Sequence, residues 1–168
     1  MKKLYLLLLL SFCLTNCKSS KHTVSKTNKT RTSKIVNSSP SKEIRNIIDH
    51  AKSYEGTRYK YGGDSKRGMD CSGLVVTAFM KEDIKLPRTT SDLSKTGDWI
   101  DVKSVKEGDL LFFATKKNSR KINHVGIVTK SRPGYVEFIH STTSRGVIRS
   151  TLSERYWYLA YVQARRVM

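Results

Sequence analysis

Apolar residues recur every three or four positions early in the chain and in short continuous or alternating runs later. Ile44, Ile47, Ile48 and Ala51 fall on one stripe, the spacing of an amphipathic helix, and Ser41 just before them is a residue type that caps a helix start. Gly56 punctuates the end of that helix, and Gly62-Gly63 marks a loop. A second helix is predicted over residues 71–80, with Leu74, Val75, Ala78 and Phe79 inward. The second half reads as strands. Leu110 to Ala114 is a short apolar run. His124 to Lys130 and Tyr135 to His140 are rich in β-branched and aromatic residues, with Ser131-Arg132-Pro133-Gly134 as the turn between them. Val147 to Arg149 and Trp157 to Ala164 complete an expected five-stranded sheet. Helices first and strands afterwards indicate an α+β domain with a mainly antiparallel sheet, occupying residues 43–168.

The N-terminus breaks this pattern. Met1-Lys2-Lys3 followed by the apolar stretch Leu4 to Leu14 has the form of an export signal, too short to span a bilayer. Leu14-Thr15-Asn16-Cys17 resembles a bacterial lipobox, which makes residues 1–16 a signal peptide and Cys17 the lipidated first residue of the mature chain. The alternative is an ordinary secretory signal followed by a chance cysteine. Residues 17–42 are rich in Lys, Ser, Thr and Asn and contain no acid. Such a segment cannot bury enough apolar surface to fold and reads as a basic tether or spacer. The expected location is therefore outside the cytoplasm, on a membrane surface through Cys17.

The chain has 32 Lys and Arg against 14 Asp and Glu; setting aside the nine cations up to Lys42 leaves residues 43–168 at a net +9. A basic surface favours anionic partners such as phospholipid, lipopolysaccharide or an acidic wall polymer. Nucleic acid is disfavoured, because the chain carries an export signal and no helix-turn-helix, RNP-type or zinc-finger spacing.

Three cysteines are present, and Cys13 and Cys17 belong to the signal region, so Cys71 alone keeps a thiol in the domain. A lone thiol in an oxidising compartment is a hazard unless it is buried or used. Cys71 shares the stripe of Leu74, Val75 and Ala78, which fits a small buried hydrophobe. It also opens a predicted helix, where the partial positive charge of the N-terminus stabilises a thiolate, and Ser72-Gly73 permits another chain or a ligand to approach closely. His124 begins one strand of the predicted hairpin and His140 ends the other. If paired positions sum to 264, the two rings stand opposite with Cβ atoms roughly 5 Å apart; a slip of one residue puts them on opposite faces. In the favourable register one ring can take the thiol proton and the other can orient it. The same three side chains could instead ligate zinc, although no short-spaced ligand pair such as HExxH is present.

Ordered blocks then carry a family resemblance. Gly56-Thr57-Arg58-Tyr59-Lys60-Tyr61-Gly62-Gly63 and Gly68-Met69-Asp70-Cys71-Ser72-Gly73-Leu74-Val75 resemble the signature of the NlpC family of bacterial cell-wall cysteine peptidases. Leu86-Pro87-Arg88-Thr89-Thr90 is similar to its next block, with Leu93 where a glutamine is common. Glu107-Gly108-Asp109-Leu110-Leu111-Phe112-Phe113 follows, with Glu107 replacing a usual proline. His124-Val125-Gly126-Ile127-Val128, Phe138-Ile139-His140 and Tyr161 to Val167 complete the series. The resemblance implies a papain-like α+β fold and hydrolysis of peptidoglycan stem peptides without a cofactor or metal. It implies Cys71 as nucleophile, His124 as base and His140 as the third polar residue, Tyr59 beside the active site, and Asp70, Ser72 and Arg88 around the substrate cleft. For the last four the structural alternatives are packing (Tyr59), helix capping (Asp70), a first-turn position (Ser72) and a surface ion pair (Arg88). The bond implied is that between the γ-carboxyl of D-glutamate and the following diamino acid. The whole then reads as a lipoprotein facing the cell wall, on the periplasmic side of the outer membrane in a diderm bacterium. An acyltransferase or muramoyl-alanine amidase on the same fold, and a non-catalytic wall-binding lipoprotein, are the competing readings.

Overall fold

A computed structural model describes residues 39–168. The expected signal peptide, Cys17 and nearly all of the tether lie outside the described residues. Helix α1 (Lys42–Lys52) begins where Ser41 Oγ accepts the Ile44 N–H at 3.2 Å, and it buries Ile47, Ile48 and Ala51. A small ribbon, β1 (Asp64–Ser65) and β2 (Gly68–Met69), leads into α2 (Cys71–Met80), which buries Leu74, Val75, Ala78 and Phe79 as its apolar pattern predicts. The short helix α3 (Thr90–Leu93) is followed by β3 (Asp98–Ile100), β4 (Leu110–Phe113), β5 (His124–Arg132), β6 (Tyr135–Thr142), β7 (Gly146–Thr151), helix α4 (Arg155–Ala160) and β8 (Tyr161–Arg166). No helix among the described residues is long and apolar enough to cross a membrane.

Six of the strands form one antiparallel sheet in the order β3-β8-β4-β5-β6-β7. Apolar residues cover both faces. Strand β4 shows this directly: Leu110 and Phe112 join the core under α1 and α2, while Leu111 and Phe113 join a second cluster containing Val128, Phe138, Trp157 and Ala160. A central strand buried on both sides reads as a continuous apolar run, which is why Leu110 to Phe113 shows no alternation.

The α+β class and the mainly antiparallel sheet agree with the sequence reading, but two elements differ. The sheet has six strands rather than five, because β3 is a three-residue edge strand on β8 too short to leave a periodic signal. The run Trp157 to Ala164 is not one strand. Its first part is α4, which buries Trp157 and Ala160 at helical spacing and exposes Tyr156, Tyr158 and Leu159; the strand starts at Tyr161. Aromatic residues favour strands on propensity, and packing of one helical face on the sheet overrides that preference here.

Register decides whether the two strand histidines meet. Next to the turn, β5 and β6 pair Arg132 with Tyr135 and Lys130 with Glu137; beyond it they pair Val128 with Phe138 and Ile127 with Ile139. Thr129 is therefore an unpaired extra residue, a β-bulge. Its hydroxyl donates to Glu137 Oε1 at 2.8 Å, which anchors the bulge. Were Thr129 paired in the ladder, with no bulge, the pairing set at the turn would continue and place His124 and His140 on opposite faces. With it, His140 lies across from Gly126, where an added Cβ would come within 3.1 Å of His140 Cβ and 2.7 Å of the Phe138 ring. The expected sum of 264 is thus replaced by 266 around Ile127 and Ile139. The histidines are diagonal neighbours on one face, not directly opposed, and glycine at 126 leaves room for the ring between them.

Candidate active site

Cys71 is half-buried at the first position of α2. Its Sγ lies 3.6 Å from the Thr90 hydroxyl. Burial pushes the Cys71 thiol up; hydrogen bonds from Thr90 and from the Val125 and Ser72 N–H groups pull the other way, and the Asp70 charge adds to the rise. Burial therefore outweighs these hydrogen bonds and disfavours the thiolate, against the bias of the helix start. Cys71 packs against the core cluster that contains Val125, at the start of β5 and one residue from His124.

His124 Nε2 and His140 Nδ1 are 2.9 Å apart, and His140 Nε2 is 3.1 Å from Ser150 Oγ on β7. His140 is fully buried, and His124 and Ser150 are nearly so. Trp157 closes the pair from the α4 side: it stacks on His124 with centroids 5.4 Å apart and meets His140 edge-on at 4.5 Å. Phe138 packs against His140 from the sheet. This apolar enclosure disfavours charge on either ring. Burial lowers His124 to about 4, and burial followed by repulsion from His124 lowers His140 further. A neutral thiol beside a neutral imidazole pair is the ground state of the site. The His124 nitrogen not bonded to His140 is Nδ1, which leaves that atom for proton exchange with the thiol. The two rings are bonded to each other rather than aimed at a common point, and among the described residues no group of three His, Cys, Asp or Glu side chains could hold a metal ion. The remaining histidine of the described residues, His50, packs edge-on against Tyr54 at the end of α1.

A polar clamp holds the thiol side. Asp70 caps α2 by accepting the Gly73 N–H at 2.6 Å, and its other oxygen accepts the Gly62 N–H at 2.8 Å. Arg88 binds the same carboxylate in bidentate fashion, both distances 2.9 Å, and donates to Ser72 Oγ at 2.7 Å and to the Gly63 carbonyl. Burial alone would raise the Asp70 carboxyl, but the Arg88 guanidinium and the two N–H groups more than offset it and hold the carboxyl below its usual range. The close approach expected at Ser72-Gly73 is made by the chain itself. A Cβ on Gly73 would sit 2.2 Å from the Gly63 carbonyl oxygen, so the glycine seats the loop and does not admit a separate ligand. Tyr59, half-buried, bridges to Met69 and has its hydroxyl pKa raised by burial and then by the nearby Cys71 and Asp70.

The structure thus gathers the seven domain residues singled out from the sequence into two adjoining groups: Tyr59, Asp70, Cys71, Ser72 and Arg88 around the helix start, and His124 with His140 at the strand ends. Cys17 lies outside the described residues. Sequence reasoning missed Thr90, Ser150 and Trp157. Ser and Thr carry no local signal that distinguishes a partner of a thiol or an imidazole from a surface hydroxyl, and Trp157 was masked by the strand-like composition around it.

A half-buried Cys and two buried His side chains thus stand at the junction of a helix start and an antiparallel sheet. The chain belongs to the NlpC/P60 family, whose pattern matches residues 56–166. It is 41% identical over 125 residues, 74% of this chain and 78% of the relative, to the probable endopeptidase NlpC of Escherichia coli K12. It is 37% identical to the murein DD-endopeptidase MepS/murein LD-carboxypeptidase of the same organism, covering 73% of this chain and 62% of that one. It is 38% identical to the γ-DL-glutamyl hydrolase of Bacillus subtilis, covering 72% of this chain and 29% of that one. Among solved structures, an NLP/P60 family protein similar to a lipoprotein from Staphylococcus aureus superposes with a TM-score of 0.66 at 32% identity, covering 77% of this chain and 43% of that one. The expected family and papain-like fold are borne out, and the relatives' names agree with the expected peptidase class.

Proposed function

We propose that this protein is a cysteine endopeptidase that hydrolyses an amide bond in peptidoglycan stem peptides. The observation that carries the reading is Cys71 at the first position of α2, packed against the core cluster that contains Val125 next to His124, an imidazole whose Nε2 is bonded to a second, fully buried imidazole. In the proposed reaction the Cys71 proton passes to His124 Nδ1 as the sulfur attacks the carbonyl carbon. The charge on the carbonyl oxygen is stabilised by N–H groups at the start of α2. His124 then returns the proton to the leaving amine, an acyl-enzyme remains on Cys71, and water releases it with His124 as base. His140 orients His124. Tyr59, Asp70, Ser72 and Arg88 frame the substrate side, Asp70 and Arg88 as one paired unit.

The bond proposed is the link between the γ-carboxyl of D-glutamate and the following diamino acid. The name of the Bacillus relative supports a γ-glutamyl bond, whereas that of the DD-endopeptidase points to the cross-link. Mass spectrometry of purified tetrapeptide stems and cross-linked dimers after digestion separates these. An alanyl-glutamate dipeptide supports the γ-glutamyl assignment. Monomers released from dimers would replace it with a DD cut, and cleavage between the lactyl group and L-alanine would make the protein an amidase. Amide products formed with added amine acceptors would indicate an acyltransferase.

The protein is further proposed to act from a membrane surface, held by lipid on Cys17 at the end of the basic segment. That segment follows an export signal, and the +9 charge of residues 43–168 suits an anionic wall. Changing Cys17 to Ser should move the protein out of the membrane fraction; retention in high salt would mean another anchor.

A further inference from the structure

We infer that Ser150 is a positioning residue for the cysteine chemistry, giving His140 the acceptor it needs to carry its proton on Nε2. This rests on the reading of Cys71 and His124 as nucleophile and base. Two protonation patterns fit the row Cys71, His124, His140, Ser150. For His124 to take the thiol proton on Nδ1, its own proton must sit on Nε2. That N–H donates to His140 Nδ1, which must be bare, so the proton of His140 sits on Nε2 and needs an acceptor. Ser150 Oγ, 3.1 Å away, is the hydrogen-bond partner of that nitrogen among the described residues. In the opposite pattern the Ser150 hydroxyl donates to His140 Nε2. His140 then donates from Nδ1 to His124 Nε2, and His124 carries its proton on Nδ1, facing the thiol with no lone pair to receive a proton. A hydroxyl serves either pattern by rotating, as a carboxylate acceptor or a main-chain N–H could not.

Burial turns this choice into an energetic one. His140 is fully buried and Ser150 is 4% exposed, with Phe138 and Trp157 against the His140 ring. Removing the hydroxyl leaves His140 Nε2 beside apolar groups. An orphaned N–H there is more costly than an orphaned lone pair, because buried donors without partners are the rarer case. A Ser150→Ala chain therefore shifts toward His140 protonated on Nδ1, the pattern that blocks proton transfer from Cys71. The thiol proton still moves only once, from Sγ to His124 Nδ1, giving an imidazolium; no proton leaves His140.

Two measurements test this. The first uses the isolated full chain with ring-¹⁵N histidine at pH 7.5, where both rings are neutral. The His140 resonances should show a protonated Nε2 and a bare Nδ1, with His124 protonated on Nε2. A His140 protonated on Nδ1 would overturn the inference, and this readout does not depend on catalysis. The second compares variants on stem peptides. Ser150→Ala should lower kcat about tenfold with KM unchanged, and Ser150→Thr, which keeps the hydroxyl, should recover most of it. Equal kcat in Ser150→Ala and the parent, or a loss in KM alone, would also overturn it. Failure of the underlying reading looks different: turnover would then persist in Cys71→Ala, whatever the His140 tautomer.

Discussion

Asp70 and His140 are both buried in the same candidate site, yet one is ringed by hydrogen-bond donors and the other by aromatic carbon. On the thiol side, Arg88, Gly62, Gly73 and Ser72 converge on a single carboxylate that caps α2 and seats the loop before it. On the imidazole side, Trp157, Phe138 and Phe113 enclose two rings, of which His140 has only His124 and Ser150 as hydrogen-bond partners among the described residues. The contrast fits what the proposed reaction asks of each side. A nucleophile at a helix start needs its backbone fixed, and charge-assisted hydrogen bonds fix backbone. A base must gain and lose a proton within one turnover, and an enclosure without fixed charge leaves its proton affinity adjustable by its partners.

Breaking the reacting atoms themselves has the largest effect. Cys71→Ala should lower turnover of stem peptides by on the order of 10³-fold or more while far-UV circular dichroism stays unchanged, and His124→Ala should approach that loss. His140→Ala should be milder, since an orienting ring takes no proton. The register of the two histidines is tested by a change that touches neither ring. Deleting Thr129 removes the bulge and joins the pairs Val128–Phe138 and Lys130–Glu137 directly, so His124 and His140 should stay on one face and turnover should persist. A crystal structure of the deletion with the rings on opposite faces would refute the register argument.

On the thiol side, Arg88→Ala leaves the Asp70 carboxylate buried without its cation. Because Arg88 is itself part-exposed, the expected loss is about 1–3 kcal/mol, below that of a fully buried pair. It is measured by urea unfolding. On the imidazole side, Trp157→Ala opens the enclosure to water. It should raise the His124 pKa from about 4 toward 6.5 and move the acid limb of the activity profile up with it. The last test is the pH dependence of stability. Both histidines have folded pKa values below the unfolded 6.5, so the unfolded chain binds protons first and stability falls as pH drops from 6.5 to about 4 for His124 and on to about 2 for His140. The Asp70 carboxyl is also depressed, so its contribution is present above 3.8 and is lost only at lower pH. Urea midpoints should therefore decline from pH 6.5 downward, with the imidazole side acting alone above pH 3.8 and the Asp70 loss adding to it below. A flat profile down to pH 4 would place water, not apolar groups, around the rings.

These two sides were unequally legible in the sequence. Helix α2, its Asp70 cap and the Cys71 position follow from local pattern, because capping and periodicity act within a few residues. The meeting of His124 and His140 was readable only in outline. Their strands and the turn are local, but the register depends on an unpaired Thr129 stabilised by Glu137 from the neighbouring strand, a tertiary contact. Trp157 illustrates the same limit. Its neighbours suggest a strand, and only packing against His124 and Phe138 makes the segment helical. Arg88 reaches Asp70 across 18 residues, a pairing that no spacing rule anticipates.

The proposed reaction requires a covalent bond between Cys71 and the acyl side of the stem peptide. Acid quench of the protein during turnover of a free alanyl-γ-glutamyl stem peptide, followed by mass spectrometry of its fragments, detects that bond. An alanyl-glutamyl increment is expected on the fragment containing Cys71, with neither increment nor turnover in Cys71→Ala. An increment on any other residue, or turnover at the parent rate in Cys71→Ala, would contradict it.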